Sequence, residues 1–444
     1  MGGRTYLRFC LRESAPMSLD KFFNFSLLGG SKRRVKASRL FSVLFLIAAI
    51  AGCGGGGSGG GSSTPPSSTS KQTATATTVS LSSQVQNPVH LLPQDYNGVI
   101  VELQSVPNGG ASSLNGSLVL GIETEGNNTP SSLKPLTLDG DGDFTTSYNG
   151  VPPLTGSFID TGSNGLFFPQ VNNMPPLCQG QNIWYCPQPS FSNSATQEGA
   201  NGNQNIVPFT IGNFDTLFSS GNHVLPIGGL DKNEFDWGLP FYFGQNVAIE
   251  IEGESSPHLG TGPLFSIGPF SQSQPGPNVM PITVDGTQCI QGAYNNEPCV
   301  SVKVCTPGST TSCVTINGIL LDTGSYGLRI FNQALNGVAL NKVTASDGGQ
   351  LAECMQFADG SAEWGPVETA DVVLGNESAV NVPIQVIDST FPGSSNCSGT
   401  LDTSPSAVGY NGILGVGPFQ QDCGLICTQN NFSSLTQWPY WSIK

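Results

Sequence analysis

The chain has 444 residues, including 57 Gly, 32 Pro and 12 Cys, with 16 basic against 31 acidic side chains. Nine of the basic residues but only two of the acidic ones precede residue 53, so the remainder carries a net charge of −22 and repels phosphate, which argues against a nucleic-acid partner. The 366 residues after Thr78 are too many for one compact core and suit two domains.

Taken from its start, residues 1–52 read as an export leader. Lys32 to Arg39 is basic, and Leu40 to Ile50 is apolar but too short to span a bilayer. Ile50-Ala51-Gly52-Cys53 resembles the box at which bacterial lipoprotein precursors are cleaved and lipidated on the Cys. That resemblance implies a membrane anchor through lipid on Cys53, and Gly54 rather than Asp after it implies sorting to the outer membrane. An ordinary signal peptide ending in small residues is the alternative. Residues 53–84, rich in Gly, Ser and Thr, read as a flexible tether that holds a body away from the membrane.

The body alternates short apolar runs with Gly, Pro, Asn and Ser and shows almost no helical periodicity, so the expected fold is mainly β. Strands are expected at Val99–Leu103, Ser117–Ile122, Asn246–Ile251, Val300–Val304 and Ala370–Leu374. Residues 268–280, which hold Gly268-Pro269-Phe270-Ser271-Gln272, lack a pattern that packs. They read as a linker between a first lobe at 85–267 and a second at 281–444.

One stretch occurs twice. Ser157-Phe158-Ile159-Asp160-Thr161-Gly162-Ser163-Asn164-Gly165-Leu166 has its twin in Gly318-Ile319-Leu320-Leu321-Asp322-Thr323-Gly324-Ser325-Tyr326-Gly327-Leu328. Each reads as a buried strand, a tight turn bearing a carboxylate, and a second buried strand. A single Asp-Thr-Gly is most simply an Asx turn between strands. Two copies in matched surroundings suggest two lobes facing each other, each presenting one Asp. Carboxyls that meet at about 3 Å cannot both ionise, so they share a proton. Such a pair can take a proton from water while giving one to a carbonyl oxygen, the acid and base work of peptide hydrolysis.

Beyond Cys10 and Cys53 ten cysteines remain, an even number that in an exported chain reads as disulfides. Short loops suggest Cys178 with Cys186, Cys289 with Cys299, Cys305 with Cys313 and Cys423 with Cys427. Cys354 with Cys397 is left by elimination. A zinc site is not expected, because His90, His223 and His258 lie far in sequence from any paired Cys. Asp139-Gly140-Asp141-Gly142-Asp143 imitates the start of a calcium loop, but Phe144 and Gly150 stand where the turn Gly and the bidentate Glu belong, so it reads as a solvated turn. No nucleophile elbow, zinc-protease helix or phosphate loop is present. Trp184, Trp237, Trp364, Trp438 and Trp441 suit a β core at least as well as a cleft lining.

The Asp-Thr-Gly-Ser pair resembles the bilobal pepsin-type aspartic peptidases, in which each lobe gives one catalytic Asp. Phe357-Ala358-Asp359-Gly360-Ser361 lies where that family has its flap hairpin, and Gly412-Ile413-Leu414-Gly415-Val416-Gly417 resembles the apolar segment packed beneath the catalytic turn. Trp237-Gly238-Leu239-Pro240-Phe241 resembles the end of the other lobe. The chain is also similar, over nearly all of residues 85–444, to a family of uncharacterised bacterial lipoproteins with paired Asp-Thr-Gly or Asp-Ser-Gly turns, with its two halves in exchanged order. The first lobe here thus corresponds to that family's last.

The resemblance implies a two-lobed, acid-protease-like double β-barrel with a cleft between the lobes. Asp160 and Asp322 would be acid and base around an activated water. Thr161 and Thr323 would lock the turns, Gly162 and Gly324 would let them fold tightly, and Ser163 and Ser325 would orient the carboxylates. Phe357 would cover the substrate, although it replaces the family's Tyr, as Ala358 replaces its Gly. In the first lobe Asp236-Trp237-Gly238 matches the apolar-apolar-Gly segment and puts a carboxylate where an apolar residue belongs. The implied partner is a peptide or protein substrate, with no cofactor or metal, and the body is expected to be a monomer. The alternative is a non-enzymatic envelope lipoprotein that binds peptide or glycan in the same cleft.

Overall fold

Runs of Val, Ile, Leu and Phe punctuated by Gly and Pro favour the extended backbone, because branched and aromatic side chains fit a pleated, half-buried surface. In the computed structural model strand accordingly makes up 42% of the described residues and helix 9%. The described residues are 72–180, 182–287, 289–290 and 294–444. The leader, Cys53 and the tether as far as Lys71 lie outside them. Among the described residues no helix is long and apolar enough to cross a membrane.

An antiparallel sheet runs through the middle in the order Pro135–Thr137, Leu264–Pro269, Gln245–Glu250, Gly98–Leu103, Leu114–Leu120 and Val279–Val284. Its Gly98–Leu103 strand is buried at every position, which is why that run is continuously apolar apart from Glu102. Glu102 is held by Asn246 and by the Ser273 amide and hydroxyl. The sheet continues through Thr283 and Cys299 into the second half.

There six strands close a ring: Cys299–Cys305, Cys313–Asp322, Gly412–Val416, Tyr326–Phe331, Glu377–Ile387 and Ser361–Leu374, which returns to Cys299–Cys305. In the first half seven strands form a nearly closed barrel, ordered Gly228–Leu230, Leu166–Phe168, Asp236–Trp237, Leu154–Ile159, Phe144–Ser147, Phe191–Glu198 and Gln204–Ile211. Its interior is aromatic: Phe168, Phe209 and Phe235 are in mutual contact, Trp237 packs on Phe209 and Phe235, and the Trp237 indole donates to Thr146 Oγ1 at 3.1 Å.

The repeat in sequence is a repeat of topology. In each half one strand leads into the Asp turn and a second leads out. A third, Asp236–Trp237 or Gly412–Val416, lies between them, parallel to the first and antiparallel to the second. A fourth, Gly228–Leu230 or Glu377–Ile387, runs parallel to the outgoing strand. Each carboxylate turn is therefore gripped on both sides by backbone.

The expected strands are present within a few residues of their expected ends, except that Ala370–Leu374 is only the tail of a 14-residue strand, Ser361–Leu374. Trp364-Gly365-Pro366 hid the rest. The tether expected at 53–84 does not reach residue 84. From Thr73 the chain is built into the body: Ala74–Ala76 pairs with Tyr440–Ile443, and Val79 and Val85 pack with Leu351, Met355 and Tyr440. The first half correspondingly begins nearer Gly98 than Val85, since Gln86 and Asn87 hydrogen-bond to Pro383 and Gln420 of the second. Backbone hydrogen bonds need no particular side chain, so a Ser- and Thr-rich segment can complete a sheet without announcing it. Thr73 and Lys444 exchange backbone hydrogen bonds of 2.9 and 3.1 Å, so the two ends of the described body lie side by side.

All five expected disulfides are formed. Four close short loops, whereas Cys354–Cys397 spans 43 residues and restrains the unfolded chain most. Replacing both of its cysteines by Ala is expected to lower unfolding stability by about 3 to 4 kcal/mol, read from denaturant unfolding. A loss as small as that for Cys423–Cys427 would contradict this.

Two acids tie stability to pH. Glu377 Oε2 accepts the backbone N–H of Gln94 at 3.0 Å, and the Glu377 carboxyl meets that of Asp95. Burial first, then Glu377, pushes Asp95 up to about 7. Burial does the same to Glu250, which accepts from Ser256. Each is protonated in the folded state where the unfolded chain has already released the proton. The stabilisation is complete below the unfolded value of about 4 and is lost as pH rises through about 7. The thermal midpoint is thus expected to fall between about pH 5 and about pH 8, and Asp95→Asn with Glu250→Gln should flatten that fall.

Candidate active site

Asp160 and Asp322 end the strands Leu154–Ile159 and Cys313–Asp322, and the structure brings their turns together at 7% and 4% exposure. A Cβ added to Gly324 would lie 2.6 Å from Asp160 Cγ, and one added to Gly162 would lie 3.0 Å from Asp322 Cγ. Each glycine thus makes room for the opposite acid. Within each turn the carboxylate accepts the Gly amide, at 2.7 Å in both, and the Ser hydroxyl, from Ser163 at 2.8 Å and from Ser325 at 2.5 Å.

The threonines link the halves. Thr161 N–H donates to Thr323 Oγ1 at 2.9 Å, and Thr323 N–H donates to Thr161 Oγ1 at 3.0 Å. Their hydroxyls reach further across, Thr161 Oγ1 to Leu321 O at 2.7 Å and Thr323 Oγ1 to Ile159 O at 3.3 Å. Four buried hydrogen bonds related by a twofold exchange hold two chain segments 162 residues apart in one register. With its own proton given to Ile159, Thr323 accepts from the Tyr242 hydroxyl at 2.7 Å. Tyr242 lies on the short Leu239–Tyr242 helix, fully buried.

Burial raises Asp322 well above the ordinary carboxylate range. The neighbouring Asp160 charge and a hydrogen bond between the two carboxyls push it the same way, while Ser325 and the Gly324 amide oppose. Both forces favour the protonated form of Asp322, while the Asp160 oxygens opposite it accept from the Gly162 amide and the Ser163 hydroxyl.

Phe357 sits at the turn of the hairpin joining Gln350–Gln356 to Ser361–Leu374, where its amide donates to Ser361 O at 3.0 Å. It is partly buried against the cluster that holds Leu320 and Tyr410, beside the Asp322 turn. In the calcium-like stretch, Asp139 Oδ1 is taken by the Asp141 and Asp143 amides at 2.9 and 2.8 Å, an Asx turn closed on itself. The cysteines near Asp215 and Glu297, which have metal-like spacing, are bonded to one another and offer no thiolate.

Three residues of this region carry chemistry that the sequence reading left out. Tyr242 was hidden in an apolar Leu-Pro-Phe-Tyr run, and the signal available was a Tyr on a Pro-led turn directly after Trp237-Gly238. Arg329 is fully buried on Tyr326–Phe331, the strand that leaves the Asp322 turn, and is bonded to Glu353 and Asp422 at 3.0 Å each; its signal was being the only Arg after residue 52. Glu363, on the flap hairpin, is fully buried with neither carboxyl oxygen hydrogen-bonded. Burial, then Asp402, raises it well above the usual range.

Fold and site together define a mainly β, two-barrel protein with a paired-carboxylate centre between the repeated turns. The chain belongs to the family described as Protein of unknown function (DUF3443), whose model matches residues 67–267 and 274–441. No curated protein and no solved structure matches it.

Proposed function

We propose that the chain is an exported, lipid-anchored aspartic endopeptidase of the two-lobed, pepsin-like kind. The observation that carries the reading is the reciprocal Thr161–Thr323 clasp, which holds two buried carboxyls against each other. Such a clasp is an expensive way to build two loops and a direct way to fix two acids around one water.

In the reaction, water bound between the carboxyls gives a proton to one carboxylate as its oxygen attacks the peptide carbonyl carbon. The proton held by the other acid passes to the carbonyl oxygen, forming a neutral gem-diol. Collapse of the diol breaks the C–N bond, the leaving amine takes the proton received from water, and a diol hydroxyl returns the other. Atoms and charge balance over the cycle with no metal or cofactor. Phe357 covers the peptide from above.

A second reading is a groove that binds peptide or glycan without cleaving it. Phe357 and Asp236 favour it, since one lacks a flap hydroxyl and the other adds a carboxyl at the floor. Peptide-library cleavage by the full chain from about pH 3 to about pH 7, beside Asp160→Ala and Asp322→Ala, separates the two. Cleavage abolished by each substitution supports the peptidase. No cleavage by a folded parent chain supports the groove, and cleavage surviving both substitutions removes the dyad mechanism. Anchoring through Cys53 belongs to the same proposal. Cys53→Ser is expected to shift the exported chain from the detergent phase to the aqueous phase.

A further inference from the structure

Each carboxylate turn is held at two points, and the second point is built differently in the two halves. The near point is the threonine clasp. At the far point, one residue past the serine that donates to each aspartate, a backbone carbonyl accepts a buried side-chain donor at 2.8 Å. For the Asp322 turn the carbonyl is that of Tyr326, and the donor is Arg329 Nη1 on the strand leaving the same turn. For the Asp160 turn the carbonyl is that of Asn164, and the donor is Asn296 Nδ2, which reaches across from the second half. Asn296 is fully buried and uses its whole carboxamide: Oδ1 accepts the Leu225 amide at 2.7 Å, and Nδ2 also donates to Leu225 O at 2.8 Å. The Leu225 amide fixes the orientation of the group, since a flipped carboxamide would set N–H against N–H. Its own amide donates to His223 O at 2.9 Å, and its φ of +61° lies in the left-handed region that Asn tolerates. Two residues on, Pro298 O accepts at 2.9 Å the amide of Leu321, which directly precedes Asp322. Residues 296–298 thus touch both carboxylate turns.

We propose that Asn296, acting through Asn164, is a positioning residue for Asp160: it pins the far end of the first turn to the second half, as Arg329 pins the far end of the second turn. A turn held only at Thr161 could pivot about that clasp. Held at Asn164 as well, it cannot, and Gly162 and Ser163, which lie between the two points, keep their donors aimed at Asp160. The preceding carbonyls are fixed in the same way, Ser163 O by the Leu239 amide at 2.7 Å and Ser325 O by the Gly417 amide at 3.0 Å. The donors that complete the two turns are unrelated, one charged and local, the other neutral and 132 residues away. Their arrival at the same carbonyl marks it as the point that must be held if two acids are to keep one geometry. In the proposed peptidase, on which the kinetic part of this inference rests, one water must lie within reach of both carboxyls. A drift of about 1 Å at Asp160 then lowers turnover, while peptide binding, spread along the cleft, changes little.

Asn296→Gly in the full chain tests this, because glycine keeps the left-handed backbone while removing the side chain. Its kcat for peptide cleavage is expected to fall about 10- to 100-fold with KM within about threefold of the parent value. A second reading needs no turnover. With ¹³Cγ-aspartate labelling, the two titration steps of the dyad are expected to draw together by about 1 pH unit, since coupling weakens as the carboxyls separate. Asn295→Ala, which removes the neighbouring contact with the His223 ring, should change neither reading. A folded Asn296→Gly chain whose thermal midpoint drops while kcat and both titration steps stay in place overturns the proposal, leaving Asn296 a packing residue. Where that variant does not fold, the parent chain decides: slow solvent exchange of both Asn296 carboxamide protons supports the pin, and fast exchange overturns it. A parent chain that cleaves no peptide refutes the peptidase reading, and the titration steps then decide the positioning role on their own.

Discussion

Asp322→Asn is expected to lower kcat/KM for peptide cleavage about 10³-fold while leaving the thermal midpoint unchanged or higher. The asparagine keeps the shape and can still donate toward Asp160, but it cannot lend a proton to a carbonyl oxygen and take it back. Stability should not suffer, because one of two buried acids that repel each other is replaced by a neutral group. Asp322 lies far above the ordinary range chiefly through burial, then through Asp160, so the fold carries a cost for that carboxyl rather than gaining from it. Steady-state kinetics with scanning calorimetry checks both halves of the expectation. Activity within tenfold of the parent chain would exclude the acid role, and a collapse of the fold would show that the carboxyl is structural.

Arg329→Leu is expected to have the largest effect on stability, a loss of about 3 to 5 kcal/mol near neutral pH. The guanidinium is fully buried, bonded to Glu353, Asp422 and the Tyr326 carbonyl, and Glu353 and Asp422 are buried with it. Without Arg329, these carboxylates and nearby Glu363 have no positive charge among them. Burial followed by the Glu353 charge already raises Asp422, with Arg329 opposing, so its removal pushes Asp422 higher still. The acids can escape only by taking up protons, so the deficit should shrink as pH falls and grow as it rises. Urea unfolding at acid and neutral pH measures it. A loss below about 1 kcal/mol at neutral pH would mean that the carboxyls are already protonated and the ion pairs contribute little.

The duplicated turn was legible because tight turns need Gly, Thr and Ser at fixed offsets and because buried strands on either side need apolar runs. Ile319-Leu320-Leu321 and Phe158-Ile159 announce both. The disulfides were legible from loop length, since cysteines eight residues apart across a hairpin have few other partners. The docking of residues 72–92 on the second half was not, because sheet completion at Ala74–Ala76 depends on backbone alone. Trp364-Gly365-Pro366 interrupts the run of strand-forming residues, and the Gly365 position abuts the Val386 carbonyl, where a Cβ would come within 1.8 Å. There Gly serves close strand packing rather than a turn. Buried polar residues were the least legible: Arg329, Glu363 and Tyr242 act through partners dozens of residues away, which spacing along the chain does not reveal. Asp236 stood out only as a departure, a carboxylate where the second half has Ile413.

The most direct measurement compares, by calorimetry, the binding of two matched peptides to the full chain. One carries a hydroxyl-bearing tetrahedral carbon in place of the scissile carbonyl, and the other carries plain methylene there. A clasped pair of acids sharing one proton should bind the hydroxyl peptide about 100-fold more tightly or better, and Asp322→Asn should erase that preference. Equal affinity for the two peptides would mean that the acids do not converge on a common oxygen.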